Sequence, residues 1–312
     1  MSGLQVISSG MLTLIQDLGR FGVARHGLSA GGPADLHAHC WANKLLDNPV
    51  NASVLEITMG NACFQALEDT LLSLTGAETN PQIDGQPLST WCSFLLRKGQ
   101  TLKLGYAKTG FRCYLAVAGG FDVPKMFGSS ATVVRNQLGG LAETAGTAIQ
   151  KGDILPLFQL STQKTQKFNW VPRAFIPKYT NEVSLAVIES YQSHLFSHSA
   201  KRTFYAKPYV ISDKSDRMGI RLQGNSVQPG MSGVISEGIA YGSIQFPANG
   251  QPIILMNDRQ TLGGYPKIGC VSKMSLMKLA QARPGSVIQF YRSDIELETQ
   301  AYCEFMSYFS IE

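Results

Sequence analysis

The chain contains no run of about eighteen apolar residues of the kind that crosses a bilayer. Residues 1–10 place no basic stretch ahead of an apolar one, so no secretory signal is expected and a cytoplasmic protein is. Cysteine is sparse: Cys40, Cys63, Cys92, Cys113, Cys270 and Cys303 form no C-x-x-C pair. That scatter argues against a disulfide framework or a zinc site and fits free thiols in a reducing compartment. Charge is thin as well, with Asp, Glu, Lys and Arg at 16% and a net +5 spread along the chain rather than blocked, so no nucleic-acid groove is expected. No G-x-x-x-x-G-K-[ST] occurs, which leaves the chain without a P-loop. Lys125-Met126 and Lys273-Met274 both lack the preceding Met of a biotin-accepting hairpin, so no biotin is expected on this chain.

What is present is enough for a substantial core. The 312 residues are 44% hydrophobic, and that length favours two domains over one. Short apolar or alternating runs, bounded by Gly, Pro and Asp, recur at 54–57, 70–74, 101–104, 113–117, 183–188, 209–211 and 287–291 and read as strands. Helical spacing is confined to 33–46, with Pro33 placed in the first turn, and to 273–281 and 295–309. The pattern is mainly β with a few helices, best met by two closed or partly closed barrels. The polar stretch 161–178, with Pro172 and Pro177, marks a boundary between domains at 1–165 and 180–312. A Gly turn before a strand, at Gly152 and again at Gly285, is a faint echo between the halves.

The densest chemistry lies at 242–269. An apolar strand at 252–256 ends in Asp258, Arg259, Gln260 and Thr261, followed by Gly263 and Gly264 and then by Tyr265, Pro266 and Lys267. The paired glycines suit positive φ or a close backbone approach. With Gln245, this stretch offers a carboxylate, cations, amides and an aromatic to a small substrate. A second cluster holds Ser215, Asp216, Arg217 and Arg221; on a strand both guanidiniums would share one face and grip an anion, with Asp216 orienting one of them. A third carries Arg20 and the Gly31-Gly32 turn ahead of the first helix, where N–H groups and the helix dipole could meet an anion.

Other patterns are weaker. Residues 27–31 match G-x-S-x-G, but no strong strand leads into Ser29, so a nucleophile elbow is not expected. His37, His39 and Cys40 lie on different helix faces and His194 and His198 have polar surroundings, so no metal site is expected.

The segments 13–22, 31–35, 42–46, 114–121, 215–222 and 242–269 together resemble the allophanate hydrolase subunit 2-like, or biotin-dependent carboxyltransferase-like, family over nearly the whole chain. Residues 128–132 and 188–190 depart from the family's usual pattern. The resemblance implies two cyclophilin-like β-barrel domains. It also implies ATP-dependent opening of 5-oxoproline to glutamate, with ATP and its magnesium bound by a complex. Its partners there are a subunit 1-like protein and a third, separate protein that hydrolyses the lactam. On that reading Arg217 and Arg259 clamp anions, Asp258 orients or exchanges a proton, and Gln260, Thr261 and Tyr265 position the lactam. Two other expectations stay open: the carboxyltransferase part of a biotin-dependent urea or amide carboxylase, and a regulator that binds an anti-kinase partner.

Overall fold

The computed structural model describes residues 3–158, 168–231 and 233–311. The chain divides into two compact units, Met1–Phe21 with Gly31–Tyr179, and Gly22–Ala30 with Thr180–Glu312. Part of the boundary expected at 161–178 lies outside the described residues.

The first unit contains β1 (Leu4–Ser9), β2 (Leu12–Gln16), α1 (Leu36–Lys44), β3 (Val54–Thr58), β4 (Ala62–Ala66), β5 (Thr70–Glu78), β6 (Gln82–Ile83), β7 (Gln86–Pro87), β8 (Cys92–Leu96), β9 (Thr101–Lys103), β10 (Thr109–Val117) and β11 (Ile154–Leu155). These strands form a six-stranded sheet, β11-β1-β4-β9-β6-β7, and a five-stranded sheet, β2-β3-β10-β5-β8. Helix α1 packs on the second sheet, where Ser73 and Thr75 are buried because their hydroxyls donate to the helix carbonyls of Ala42 (2.6 Å) and Ala38 (2.7 Å). The helix starts later than expected: Asp35 is the N-cap, accepting from Ala38 N, and Pro33 lies before the cap.

The second unit contains β12 (Glu182–Glu189), α2 (His198–Ala206), β13 (Tyr209–Ile211), β14 (Gly219–Gln223), β15 (Glu237–Gly238), β16 (Ser243–Gln245), β17 (Ile253–Leu255), β18 (Leu262–Gly263), β19 (Lys267–Val271), α3 (Lys273–Leu279), β20 (Val287–Arg292) and α4 (Ile295–Tyr308). Seven strands close a barrel in the order β12-β19-β16-β17-β14-β13-β20, with β12 and β20 paired in parallel. Aromatic packing fills its interior, including Phe204 of α2 stacked on Phe290 with ring centroids 4.5 Å apart. The mainly β fold with few helices is therefore observed, and α2 is an element that the sequence pattern did not reveal. The short pair β15–β18 stands apart as a two-stranded flap.

Register sets the two faces of the barrel wall. Ile220, Ile254 and Ile244 stand opposite one another across β14, β17 and β16 and are buried in the core. The next row along, Arg221, Ile253 and Gln245, therefore points to the outer face, since successive side chains alternate.

Candidate functional site in the second unit

That outer face floors an open cleft of roughly 500 Å³. Its lining includes Lys214, Asp216, Arg221, Gln245, Gln260 and Tyr265, with Ile253 and Leu255 as the apolar floor. Lys214 and Arg221 are exposed, and among the described residues neither charged group has a carboxylate partner. Asp216 is occupied differently: its Oδ1 accepts from the amides of Met218 (2.8 Å) and Gly219 (3.0 Å), closing an Asx turn at the start of β14. Ser215 likewise serves the backbone, its hydroxyl accepting from Arg221 N (3.0 Å) and donating to Arg221 O (3.3 Å).

Several expected site residues are placed elsewhere. Arg217 precedes β14 instead of sharing its face with Arg221. It is buried, and its Nε and Nη2 donate to Asp258 Oδ2 (2.9 Å) and Oδ1 (3.1 Å). The carboxylate orienting Arg217 is thus Asp258, not Asp216. Lys267 is buried and ion-paired with Glu237, which also accepts from Tyr191 and Gln192, so its ammonium is committed to the base of the flap. Thr261 contributes its carbonyl to Ile239 N across the flap (3.0 Å).

Gly263 and Gly264 do not use positive φ. They serve close approach: a Cβ on Gly263 would lie 2.9 Å from Gln245 Nε2, and one on Gly264 would lie 2.9 Å from the Val234 carbonyl oxygen.

Arg259 leaves the end of β17 and donates from Nε to Ile239 O (3.1 Å) and from Nη1 to Met256 O (3.3 Å). Its guanidinium lies 5.6 Å from the centroid of the Tyr241 ring, and the Lys273 ammonium lies 4.5 Å from the same centroid. Solvent reaches much of Lys273, yet its amine sits among protein atoms; that desolvation, and then the Arg259 charge, pull its pKa down. Lys273 and Tyr241 are candidates that the sequence reading missed, because only barrel closure brings them to Arg259.

Ser29, the serine of the G-x-S-x-G match, is buried and serves the backbone. Its hydroxyl donates to the carbonyls of Arg259 (2.7 Å) and Asp258 (3.2 Å), tying the 22–30 segment to the loop after β17.

In the first unit, the expected anion site at Arg20, Gly31 and Gly32 is filled by the protein itself. Arg20 is buried, with Nε and Nη2 donating to the carbonyls of Met126 (3.0 Å) and Ser129 (3.3 Å). Gly32 N donates to Gln16 Oε1 (3.0 Å), while Ala34 N meets the carboxylate of Glu56 (2.8 Å), which takes the place of a bound anion near the helix start. A buried Asp17 gathers the departing stretch after Gly128, accepting from the hydroxyls of Ser129 and Ser130 and from Ser130 N.

A mainly β chain with such a barrel and cleft falls in a recognised class: it belongs to the family described as carboxyltransferase domain, subdomain A and B, whose model matches residues 26–292. Within that class it is similar to the C subunit of 5-oxoprolinase from Escherichia coli strain K12, at 35% identity over 98% of this chain and 96% of that protein. The corresponding C subunit from Haemophilus influenzae is 36% identical over 88% of this chain and 86% of its own length. The solved Kluyveromyces lactis urea carboxylase shares the fold, with a TM-score of 0.91 at 24% identity, covering 99% of this chain and 29% of that larger one.

Proposed function

We propose that this chain is one component of an ATP-dependent enzyme that opens 5-oxoproline to L-glutamate. Its partners on this reading are a subunit 1-like protein and a third protein that hydrolyses the lactam, in the cytoplasm. The observation that carries the reading is the near full-length similarity to proteins named as the C subunit of 5-oxoprolinase. The scattered free thiols fit a reducing compartment, and among the described residues no helix is long and apolar enough to cross a membrane.

The chemistry makes demands that the second unit can meet in part. An unstrained lactam is a poor electrophile, and transfer of a phosphoryl group to its carbonyl oxygen activates the carbon. Water then adds, the ring nitrogen leaves with a proton, and a second water releases phosphate from the resulting acyl phosphate; ATP, 5-oxoproline and two waters become ADP, phosphate and glutamate. ATP and its magnesium belong to the assembly on this reading. In this chain, Arg221 and Lys214 supply positive charge for the substrate carboxylate, Ile253 and Leu255 supply an apolar floor, and Gln260 and Tyr265 supply polar positioning. Arg259 and Lys273, flanking Tyr241, offer a second cationic position for phosphate oxygens or developing negative charge.

The test is 5-oxoproline-dependent ADP release by the reconstituted assembly, with this chain present and omitted. The reading requires release that depends on both the chain and the lactam; release independent of 5-oxoproline counts against it. The family description favours a second reading, carboxyl transfer from biotin carried on another chain to urea or another amide. Inhibition by avidin distinguishes that reading from the first.

A further inference from the structure

We propose that the carboxamide of Gln245 reads the cis-amide edge of a ligand in the outer-face cleft, which makes the cleft selective for lactams or cyclic ureas bearing a carboxylate. The proposal deepens the 5-oxoproline reading and, for the choice of that ligand, rests on it.

Gln245 is 1% exposed, and its Nε2 is buried without a hydrogen-bond partner among the described residues. Buried amides are nearly always paired, so an unpaired one on the wall of a cleft marks a place where a partner is missing. Its neighbours cannot serve. Lys267, opposite Gln245 on β19, is committed to Glu237, and Gly263 of the flap lies over the amide without a side chain to offer. A Cβ at that position would press on the side-chain ends of Ile239 and Gln245, so the glycine lets the flap sit close over the amide.

A primary carboxamide presents one N–H and one C=O along a single edge. A small-ring lactam locks its own N–H and C=O cis, on the same side, so both complementary bonds form together. An open-chain trans amide offers only one at a time, and an amine or ether lacks the pair.

Register places the rest of such a ligand. Arg221, Ile253 and Gln245 stand in one row on three adjacent strands. At the usual strand spacing, the backbones of Arg221 and Gln245 are about 10 Å apart. A ring over Ile253 would have its amide on Gln245 and its carboxylate within reach of the Arg221 guanidinium. Full access to Nε2 requires the β15–β18 flap to lift; its strands pair at Glu237↔Gly263 and Gly238↔Leu262, with Ile239 N donating to Thr261 O and Val234 N to Gly264 O on either side.

The experiment is isothermal titration of the full chain, alone and assembled with its partner proteins, using 5-oxoproline, N-methyl-5-oxoproline and L-proline. The wild type should bind 5-oxoproline about tenfold or more tightly than either analogue. Gln245→Leu should abolish that discrimination, and Gln245→Asn, with the same group on a shorter stem, should weaken it. A purely structural Gln245 would alter stability without altering the ratio between 5-oxoproline and its N-methyl analogue. Should Gln245→Leu fail to fold, Gln245→Met keeps the length and volume with neither the amide donor nor the amide acceptor, and the same loss of ratio is required of it. Equal binding of all three ligands by the wild type, or full discrimination by folded Gln245 variants, overturns the proposal. Discriminating binding by a wild-type assembly that makes no glutamate overturns the 5-oxoprolinase reading while supporting the role of Gln245.

Discussion

Arg217 and Asp258 form a two-bond ion pair across 41 residues of sequence, with Nε–Oδ2 at 2.9 Å and both side chains 7% exposed. Asp258 N also donates to Arg217 O at 2.9 Å, so side chains and backbone together join the loop after β17 to the approach to β14. Removing one partner leaves a buried charge uncompensated. Arg217→Met and Asp258→Leu should therefore each cost about 3–5 kcal/mol in urea denaturation of the full chain, whereas the two combined should cost far less than the singles summed. Additive losses in that cycle would show that the pair is not coupled.

Arg221 is the guanidinium open to the cleft. Arg221→Ala should weaken 5-oxoproline binding about tenfold, the scale of one charge-assisted contact, and leave the urea midpoint nearly unchanged because the side chain is exposed. Lys214→Ala should act in the same direction with a smaller effect, since an ammonium lacks the planar fork. Titration calorimetry on the two variants checks both, and unchanged affinity in Arg221→Ala would remove it from the site.

Stability of the first unit should fall as the medium is acidified below about pH 6.5. His39 is wholly buried, with Nε2 at 3.0 Å from Val50 O and Nδ1 without a partner among the described residues. Burial lowers its pKa despite the opposing pull of the Val50 carbonyl, and burial lowers that of His37 too. A folded-state pKa below the unfolded value means that the unfolded chain takes up the proton first. The histidine contribution is thus complete above the unfolded pKa and declines as pH drops towards the folded one, by up to about 1.4 kcal/mol per pH unit for each group. Urea midpoints between pH 7.5 and 5.5 test this, and the slope should flatten in His39→Gln.

Thiol chemistry should follow burial. The Cys113 thiol is pushed up to about 12 by desolvation, and burial also raises Cys40 well above its ordinary value, whereas Cys303 is exposed on α4. Under native conditions a disulfide reagent should label Cys303 first and leave Cys40 and Cys113 unmodified until the chain is unfolded. Early labelling of Cys113, read by peptide mass, would contradict its placement between β3 and β5.

The strands were legible wherever apolar residues ran together, as at Val54–Thr58 and Tyr209–Ile211, because burial demands that pattern locally. Helix α2 was not, since its nine residues are largely polar and Phe204 is its one fully buried side chain, too little apolar length to stand out as a helix. From the dense polar stretch after β17, Gln260 and Tyr265 line the cleft, but chain adjacency misled where partners were concerned. Asp216 sits beside Arg217 yet spends its carboxylate on an Asx turn, and the true partner, Asp258, comes from the loop after β17, which only the barrel brings near. Tyr241 and Lys273 were invisible for the same reason: their approach to Arg259 arises from strand order, which no local spacing encodes.

The most direct test is glutamate formation from labelled 5-oxoproline and ATP by the reconstituted assembly, measured without this chain, with the wild type and with Arg221→Ala. The account predicts no glutamate without the chain, full formation with the wild type, and a raised KM for 5-oxoproline with Arg221→Ala. Glutamate formed equally well in the chain's absence would contradict it.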